Sequence, residues 1–93
     1  MEKAARRGDK CTGHDSAESR PAQRGSPDVA VNDRAVLRVG DPFSKHGADA
    51  HGGKVEKGST TVFINDLPAA RVGDPIDCGS RIETGSSEVF IGD

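Results

Sequence analysis

The sequence has few of the side chains that usually fill a protein core. Its 93 residues include three Phe, one Met, and neither Tyr nor Trp, and the apolar fraction is 32 %. Large aromatic side chains dominate the burial energy of most cores, and a domain of this size buries little surface. We therefore expect one small domain, spanning residues 1–93, that needs a cross-link, a metal ion or a partner for its stability.

The chain also lacks a long apolar run and a strong excess of charge of either sign. No segment is long enough for a membrane span or a secretory signal, so we expect synthesis in the cytoplasm and no stable membrane anchoring. Thirteen basic and 15 acidic residues give a net charge of −2. This balance argues against binding of nucleic acid by the chain as a whole.

A repeat is the most informative feature that the sequence does contain. Gly25 aligns with Gly58 at an offset of 33 residues, and the segments 25–41 and 58–74 share Gly-Ser, Val, Asn-Asp, Arg and Val-Gly-Asp. A third, truncated copy spans 85–93. Each copy of a fixed-period repeat is one structural unit that buries little alone. Three copies predict a small object with a pseudo-threefold axis.

Each copy contains the pattern of a short strand followed by a tight turn. Val29-Ala30-Val31, Val62-Phe63-Ile64 and Val89-Phe90-Ile91 alternate in the way that a half-buried strand does. Asn-Asp follows the first two, and both residue types tolerate the positive φ of a hairpin turn. The sequence therefore predicts two hairpins with return strands at 35–39 and 68–72, and a last strand. Helix signals are weak, and 12–25 is predicted to be an exposed loop.

The histidines and one cysteine recur at similar positions after each Gly-Asp. His14 and His46 lie six residues after Gly8 and Gly40, and Cys78 lies five residues after Gly73. A pseudo-threefold axis would bring these three side chains together, and His51 lies in the same loop as His46. Three imidazoles and one thiolate suit a closed, tetrahedral structural zinc site. The predicted ligands of one zinc ion are therefore the following residues: His14, His46, His51 and Cys78.

Other interpretations of these residues remain open from the sequence. Cys11 is an alternative to His51 as the fourth ligand, and a Cys11–Cys78 disulfide is an alternative to the metal, although a reducing compartment disfavours it. The four residues are also compatible with scattered surface positions. A catalytic zinc keeps one coordination position open for water, which the predicted set would fill. We therefore expect no enzymatic activity.

The chain resembles the PAAR-repeat family, named for the Pro-Ala-Ala-Arg tetrad that stands here at 68–71. The segment 62–74 is the most specific part of the resemblance, which extends from about Gly8 to Asp93. Segment 8–14 is similar to the family's usual opening, and 77–80 is similar to its third loop. The tetrad itself occurs once, because 34–38 reads Arg-Ala-Val-Leu-Arg, and Asp15 stands where the family often has Gly.

The resemblance implies a small, conical, β-rich fold of pseudo-threefold hairpins with a zinc ion at its tip, held by three His and one Cys. It implies a repeat organisation of about 8–39, 40–72 and 73–93. Many members of the family carry a fused toxin domain, and we expect no fused effector domain in this chain. The implied function is the non-enzymatic tip of a membrane-puncturing spike. One such tip caps the homotrimeric, β-helical valine-glycine-repeat (VgrG) spike of type VI secretion and is delivered from the cytoplasm with it.

Alternative functions follow from the same residues. One alternative is the tip of a phage or phage-like contractile tail spike, which is chemically the same kind of protein in a different assembly. A small zinc hydrolase and a nucleic-acid binder are less well supported by the sequence. Effector proteins are further candidate partners of a spike tip.

Overall fold

The computed structural model describes residues 1–13, 19–44 and 53–92. These ranges contain short strands and no helix, which confirms the prediction of an all-β fold. The strands are β1 (Glu2–Lys3), β2 (Ala30–Val31), β3 (Arg34–Ala35), β4 (Phe63–Ile64), β5 (Leu67–Pro68) and β6 (Phe90–Ile91).

Strands β2 and β3 form one antiparallel hairpin, and β4 and β5 form an equivalent one. The turn residues have left-handed backbone angles, with φ of 54° at Asn32, 65° at Asp33, 54° at Asn65 and 67° at Asp66. Positive φ at both central residues defines the turn type that matches strand twist. The predicted Asn-Asp hairpins are therefore confirmed.

The third hairpin is formed by the two ends of the chain, which the sequence analysis did not predict. Strand β6 pairs antiparallel with β1, with Lys3 opposite Phe90 and Glu2 opposite Ile91. Residues 1–9 therefore supply the return strand that the copy at 85–93 lacks. By this register, Lys3-Ala4-Ala5-Arg6 stands where the second hairpin has Pro68-Ala69-Ala70-Arg71.

A closed ring of backbone hydrogen bonds joins the three return segments. Ala5 N donates to Ala70 O at 3.1 Å, Ala70 N to Leu37 O at 2.9 Å, and Leu37 N to Ala5 O at 2.9 Å. Each segment thus donates to one neighbour and accepts from the other. The same cyclic order is repeated by three isolated β-bridges: Arg6–Val36, Arg38–Ala69 and Arg71–Ala4. The ring demonstrates the pseudo-threefold arrangement of the repeats.

This pairing between repeats also explains why the return strands are shorter than predicted. The ladder with the hairpin partner ends at Ala35 and at Pro68. Beyond that point Arg38 pairs with Ala69 of the next repeat instead. The return segments are extended as expected, but their partner changes after two residues.

A second layer of three irregular hairpins follows the Gly-Asp turns. We call it the loop layer, and we call 1–9, 25–41, 58–74 and 85–92 the hairpin layer. Three bridges close the loop-layer hairpins: Lys10–Pro21, Pro42–Lys54 and Pro75–Arg81. Three more join neighbouring hairpins: Cys11–Ile82, Ala22–Phe43 and Val55–Ile76. Ala22 is buried here, so part of the predicted 12–25 loop belongs to the core.

The core is divided between two apolar clusters. The larger one contains Ala5, Leu37 and Ala70 of the ring together with loop-layer side chains such as Phe43 and Ile76. The smaller one contains Ala4, Ala69 and Ile91, with Val62 and Ile64 packed against it. Successive residues of an extended segment face opposite sides. The two clusters therefore lie on opposite sides of the ring, one towards each layer.

The Gly-Ser that opens each copy fits against the ring backbone. A Cβ atom on Gly58 would lie 2.5 Å from Ala69 O, and one on Gly25 would lie 2.6 Å from Val36 O. The following residue, Ser59, donates its backbone N–H to the same Ala69 oxygen at 2.8 Å. The close approach explains why glycine stands at this position in every copy.

Candidate functional site

Each return segment carries an arginine that binds the aspartate three residues later. Arg38 donates to Asp41 through its backbone N at 2.8 Å, Nε at 3.0 Å and Nη2 at 3.0 Å. Arg71 and Asp74 form the same bonds in the next repeat. The hydrogen bond and charge of Asp41 raise the pKa of Arg38. A bidentate, charge-assisted pair of this kind fixes the Gly-Asp turn between the layers.

The remaining Nη1 group of each arginine binds the residue that directly follows strand β2, β4 or β6 of a neighbouring hairpin. Arg38 Nη1 donates to Asn65 Oδ1 at 3.1 Å, and Arg6 Nη1 donates to Asn32 Oδ1 at 2.9 Å. Arg71 Nη1 donates to Gly92 O at 3.0 Å. The arginines therefore connect the repeats as well as the layers.

Each asparagine side chain also binds the opening segment of the neighbouring copy. Asn65 Nδ2 donates to Asp28 Oδ1 at 2.8 Å, and Asn65 Oδ1 lies 2.6 Å from Ser26 Oγ. Asn32 makes the equivalent bonds with Glu88 and Ser86. The hydrogen bond from Asn65, with a second from Ser26, lowers the pKa of Asp28. These contacts hold the three hairpins in one ring.

The hairpin layer presents exposed large apolar side chains. Phe63 is 55 % exposed and Phe90 is 46 % exposed, and the exposed members of this layer also include Met1, Val29, Leu67 and Val89. Val62 and Ile64 on either side of Phe63 pack inward, as the alternating pattern predicts. We call the exposed surface of the three hairpins the hairpin face. These exposed side chains, which occur on all three hairpins, are candidates for contact with a partner.

Charged side chains of both signs lie in the same layer as these apolar residues. The exposed carboxylates of the hairpin layer are Glu2, Asp28, Asp33, Asp66 and Glu88, and its exposed cations are Lys3, Arg7 and Arg34. The described part of the hairpin face therefore carries an excess of negative charge. A partner surface with basic side chains at its rim would complement it.

At the other end of the molecule, Cys78 lies in a tight loop of the loop layer. Ile76 N donates to Ser80 O at 2.8 Å, and Gly79 N donates to Ile76 O at 3.0 Å. Gly79 has a φ of 98°, which favours glycine at that position. Cys78 is half-buried and packs against the larger core cluster. The loop therefore has a defined conformation around the thiol.

Two other loops begin or end against the Cys78 loop. Gly13 N donates to Ser80 Oγ at 2.9 Å. A Cβ atom on Gly53 would lie 2.8 Å from Cys78 Sγ, and Lys54 N donates to Asp77 Oδ1 at 2.9 Å. Gly13, where the first loop begins, and Gly53, where the second loop ends, therefore both lie beside the Cys78 loop.

Of the four predicted zinc ligands, only Cys78 lies within the described residues. His14, His46 and His51 lie outside them. Within the described ranges, no group of three or more His, Cys, Asp or Glu side chains is arranged to hold a metal ion. Cys11 is buried in the larger core cluster, where its Sγ accepts a hydrogen bond from Arg20 N at 3.2 Å. Cys11 and Cys78 do not form a disulfide.

A comparison with protein-family models finds the PAAR motif over residues 48–93. This range includes the Cys78 loop, the second hairpin and strand β6. The chain belongs to the PAAR-repeat family. No curated protein matches it. PAAR proteins are structural spike-tip proteins of type VI secretion and phage-like systems, so the match supports a spike-tip role.

The structure adds two variant copies of the PAAR tetrad outside the matched range. Lys3-Ala4-Ala5-Arg6 and Ala35-Val36-Leu37-Arg38 occupy the positions of Pro68-Ala69-Ala70-Arg71. The second and third residues are buried in all three, and the arginine is common to all. The sequence had already placed 35–38 at the tetrad position, and Arg-x-Gly-Asp, which occurs in each copy, is the signal that would have identified 3–6 as well. The described residues include no helix able to cross a membrane.

Proposed function

We propose that this PAAR protein is the non-enzymatic tip of a contractile, membrane-puncturing spike, and that its hairpin face caps a homotrimeric VgrG-like spike of type VI secretion. The observation that carries the proposal is the pseudo-threefold ring of hairpins with exposed apolar side chains. A monomer with three similar faces around one axis is suited to a partner with true threefold symmetry.

The expected stoichiometry is one tip per trimer. Each hairpin offers a short strand edge and one or more exposed apolar side chains to one chain of the partner. Strand edges bind extended partner segments through main-chain hydrogen bonds. The excess of exposed carboxylates over cationic side chains in the hairpin layer favours a spike end that carries Lys or Arg beside its apolar side chains.

We further propose one structural zinc ion at the opposite end, with Cys78, His14, His46 and His51 as its ligands. The donor set suits zinc, since three imidazoles and a thiolate give a closed tetrahedral site. The described loops support it, because Gly13 and Gly53 both lie against the Cys78 loop.

The proposed zinc would act on stability and not on a substrate. Structural zinc sites contribute about 10 kcal/mol or more in apparent binding free energy, which becomes folding free energy. The small core of this chain makes such a contribution large relative to a total stability of about 5–15 kcal/mol. A metal that joins three loops would stiffen the end of the molecule that meets the membrane first. The protein would be made in the cytoplasm and leave it with the spike.

The experiment is to mix the protein with its cognate spike trimer and measure the mass of the complex by native mass spectrometry. We expect one tip chain bound to three spike chains. A complex with three tips per trimer, or no complex, would contradict the proposal. A spike trimer from an unrelated system, mixed under the same conditions, is the control for unspecific association.

A further inference from the structure

A groove of about 660 Å³ lies between the two layers on one side of the molecule. Its hairpin-layer wall contains Arg7 and the segment 33–35, and its loop-layer wall contains the segment 21–23 and Ser44. The volume is in the range of sites that bind small molecules or short peptide segments. Because the groove spans both layers, a partner on the hairpin face would leave part of it open.

Two arginines make this groove different from the equivalent positions of the other repeats. Arg7 stands where the other return segments have Val39 and Val72, as the ring of hydrogen bonds shows. Arg34 stands where the hairpin registers place Leu67 and Glu2. Since the fold accommodates apolar or acidic side chains at these positions, it does not itself require a cation at either one.

At a third position, the groove lacks a negative charge that the other two repeats have. Gln23 N donates to Pro42 O, as Glu56 N does to Pro75 O and Glu83 N does to Lys10 O. The other two repeats therefore have a carboxylate where this groove has a neutral amide. The residues that line the groove include one carboxylate, Asp33, and two arginines.

A small side chain opens the groove at its hairpin-layer wall. Ala35 stands where the other repeats have Pro68 and Lys3. The charge and the shape of the groove therefore depart from the pseudo-symmetry together.

Both guanidinium groups have donor capacity for a ligand. Arg34 has 48 % of its side chain exposed, and its Nη1 is 3.8 Å from Asp9 Oδ1, which is longer than a hydrogen bond. Arg7 is exposed and donates through Nε to Gln23 O at 3.2 Å. An arginine has five N–H donors in a planar fork that matches a carboxylate.

We propose that this groove binds an extended acidic segment of a second partner protein, distinct from the protein that covers the hairpin face. Arg7 and Arg34 would each bind a carboxylate, and Ala35 would leave room for the segment's backbone. The inference does not depend on the spike-tip proposal, because it rests on the groove alone.

The test uses the peptide acetyl-Glu-Ala-Glu-Ala-Glu-Ala-amide, titrated into the isotopically labelled protein and followed by its amide NMR signals. We expect saturable shifts at Gly8, Gln23 and Arg34, and weaker binding at higher salt. The glutamine version of the peptide should give none of these shifts. Shifts spread over the whole surface, or no saturable shift with the glutamate peptide, would overturn the proposal.

The matched variants are Arg7→Val with Arg34→Leu, which place the residues of the second repeat at these positions. We expect the peptide affinity to fall about tenfold or more, because two charge-assisted hydrogen-bonding groups are removed. Lys57→Gln, an exposed charge change outside the groove, should leave the affinity unchanged. If the double variant does not fold, Arg34→Gln tests the same contact. Equal affinity of the groove variants and wild type would also overturn the proposal.

Spike binding by Gln23→Glu, in the loop-layer wall of the groove and outside the hairpin face, separates this inference from the proposed function. This variant restores the carboxylate of the other two repeats, so we expect it to bind the peptide more weakly and to form the spike complex normally. Loss of peptide binding with an intact spike complex supports a separate site. Peptide binding without any spike complex would refute the spike-tip proposal and leave the groove assignment standing.

Discussion

Arg38 Nη1 donates a hydrogen bond to Asn65 Oδ1 at 3.1 Å, and this contact joins two neighbouring repeats. The same asparagine amide binds Asp28 and lies within hydrogen-bond distance of Ser26. One side chain on a left-handed turn thus connects its hairpin to three residues of the adjacent copy. The stability of the ring therefore depends on turn side chains as well as on the apolar clusters.

The first prediction concerns this amide. Asn65→Gly keeps the left-handed turn but removes the side-chain hydrogen bonds, so the free energy of unfolding should fall. The matched control is Asp66→Gly, which places glycine in the same turn at a φ of 67°. We expect Asn65→Gly to be less stable than the control by about 1–2 kcal/mol. Urea unfolding measures the difference, and equal stability of the two variants would contradict the role assigned to the amide.

The second prediction concerns the glycine that opens each copy. Gly58→Ala would place a Cβ atom 2.5 Å from Ala69 O, so the ring backbone must move. We expect a loss of at least about 2 kcal/mol in the free energy of unfolding. Gly92→Ala is the control, because among the described residues its Cβ would meet Met1 Cγ alone, at 4.0 Å. A loss of similar size in both variants would show that close packing is not the cause.

The third prediction concerns acid stability. The hydrogen bonds from Asn65 and Ser26 lower the pKa of Asp28 in the folded state. A lowered folded pKa stabilises the protein above the unfolded pKa of about 3.9, and this stabilisation is lost as the pH falls through the folded pKa. Asp28→Thr places the residue of the equivalent position, Thr61, at this site. Its urea midpoint should therefore decline less steeply below about pH 4 than that of wild type.

Glu56→Gln is the control for the acid experiment, since it removes an exposed carboxylate of the loop layer. Its pH profile should follow that of wild type. If Asp28→Thr and wild type lose stability in parallel as the pH is lowered, the contact with Asn65 has no part in the acid response.

The fourth prediction concerns the hairpin face. Phe63→Ser and Phe90→Ser remove the two exposed aromatic side chains, so each should weaken binding of the spike trimer about tenfold or more. Stability should change little, because both side chains are about half exposed. Isothermal titration calorimetry measures the affinity, and Lys57→Gln serves as the control. Unchanged affinity in both phenylalanine variants would place the spike elsewhere on the molecule.

The sequence predicted the hairpins well because their signals are local. Val62-Phe63-Ile64 followed by Asn65-Asp66 specifies a strand and a turn by itself. The third hairpin depends on contacts between the two ends of the chain, and Lys3-Ala4-Ala5-Arg6 has no strand and turn directly before it. The sequence signal for this hairpin was the match of Ala4-Ala5-Arg6 and Gly8-Asp9 to Ala69-Ala70-Arg71 and Gly73-Asp74 of the second repeat.

The contacts between repeats could not be predicted in the same way. Arg38 and Asp41 are close in sequence, yet the third partner, Asn65, is brought to them by the threefold ring. The groove between the layers likewise depends on which residues the ring places side by side. Cys78 was predicted as a ligand from its spacing, and it lies in a tight loop beside Gly13 and Gly53. Its role as a ligand stays a prediction.

Zinc content is the most direct test of the proposed metal-stabilised tip, measured by elemental analysis on untagged wild type, Cys78→Ala and Cys11→Ala. We expect about one zinc per wild-type chain, lost in Cys78→Ala and retained in Cys11→Ala, because Cys11 is a buried core residue. His51→Ala should also lose zinc. Absence of zinc from wild type, or its loss in Cys11→Ala with retention in Cys78→Ala, would contradict the account.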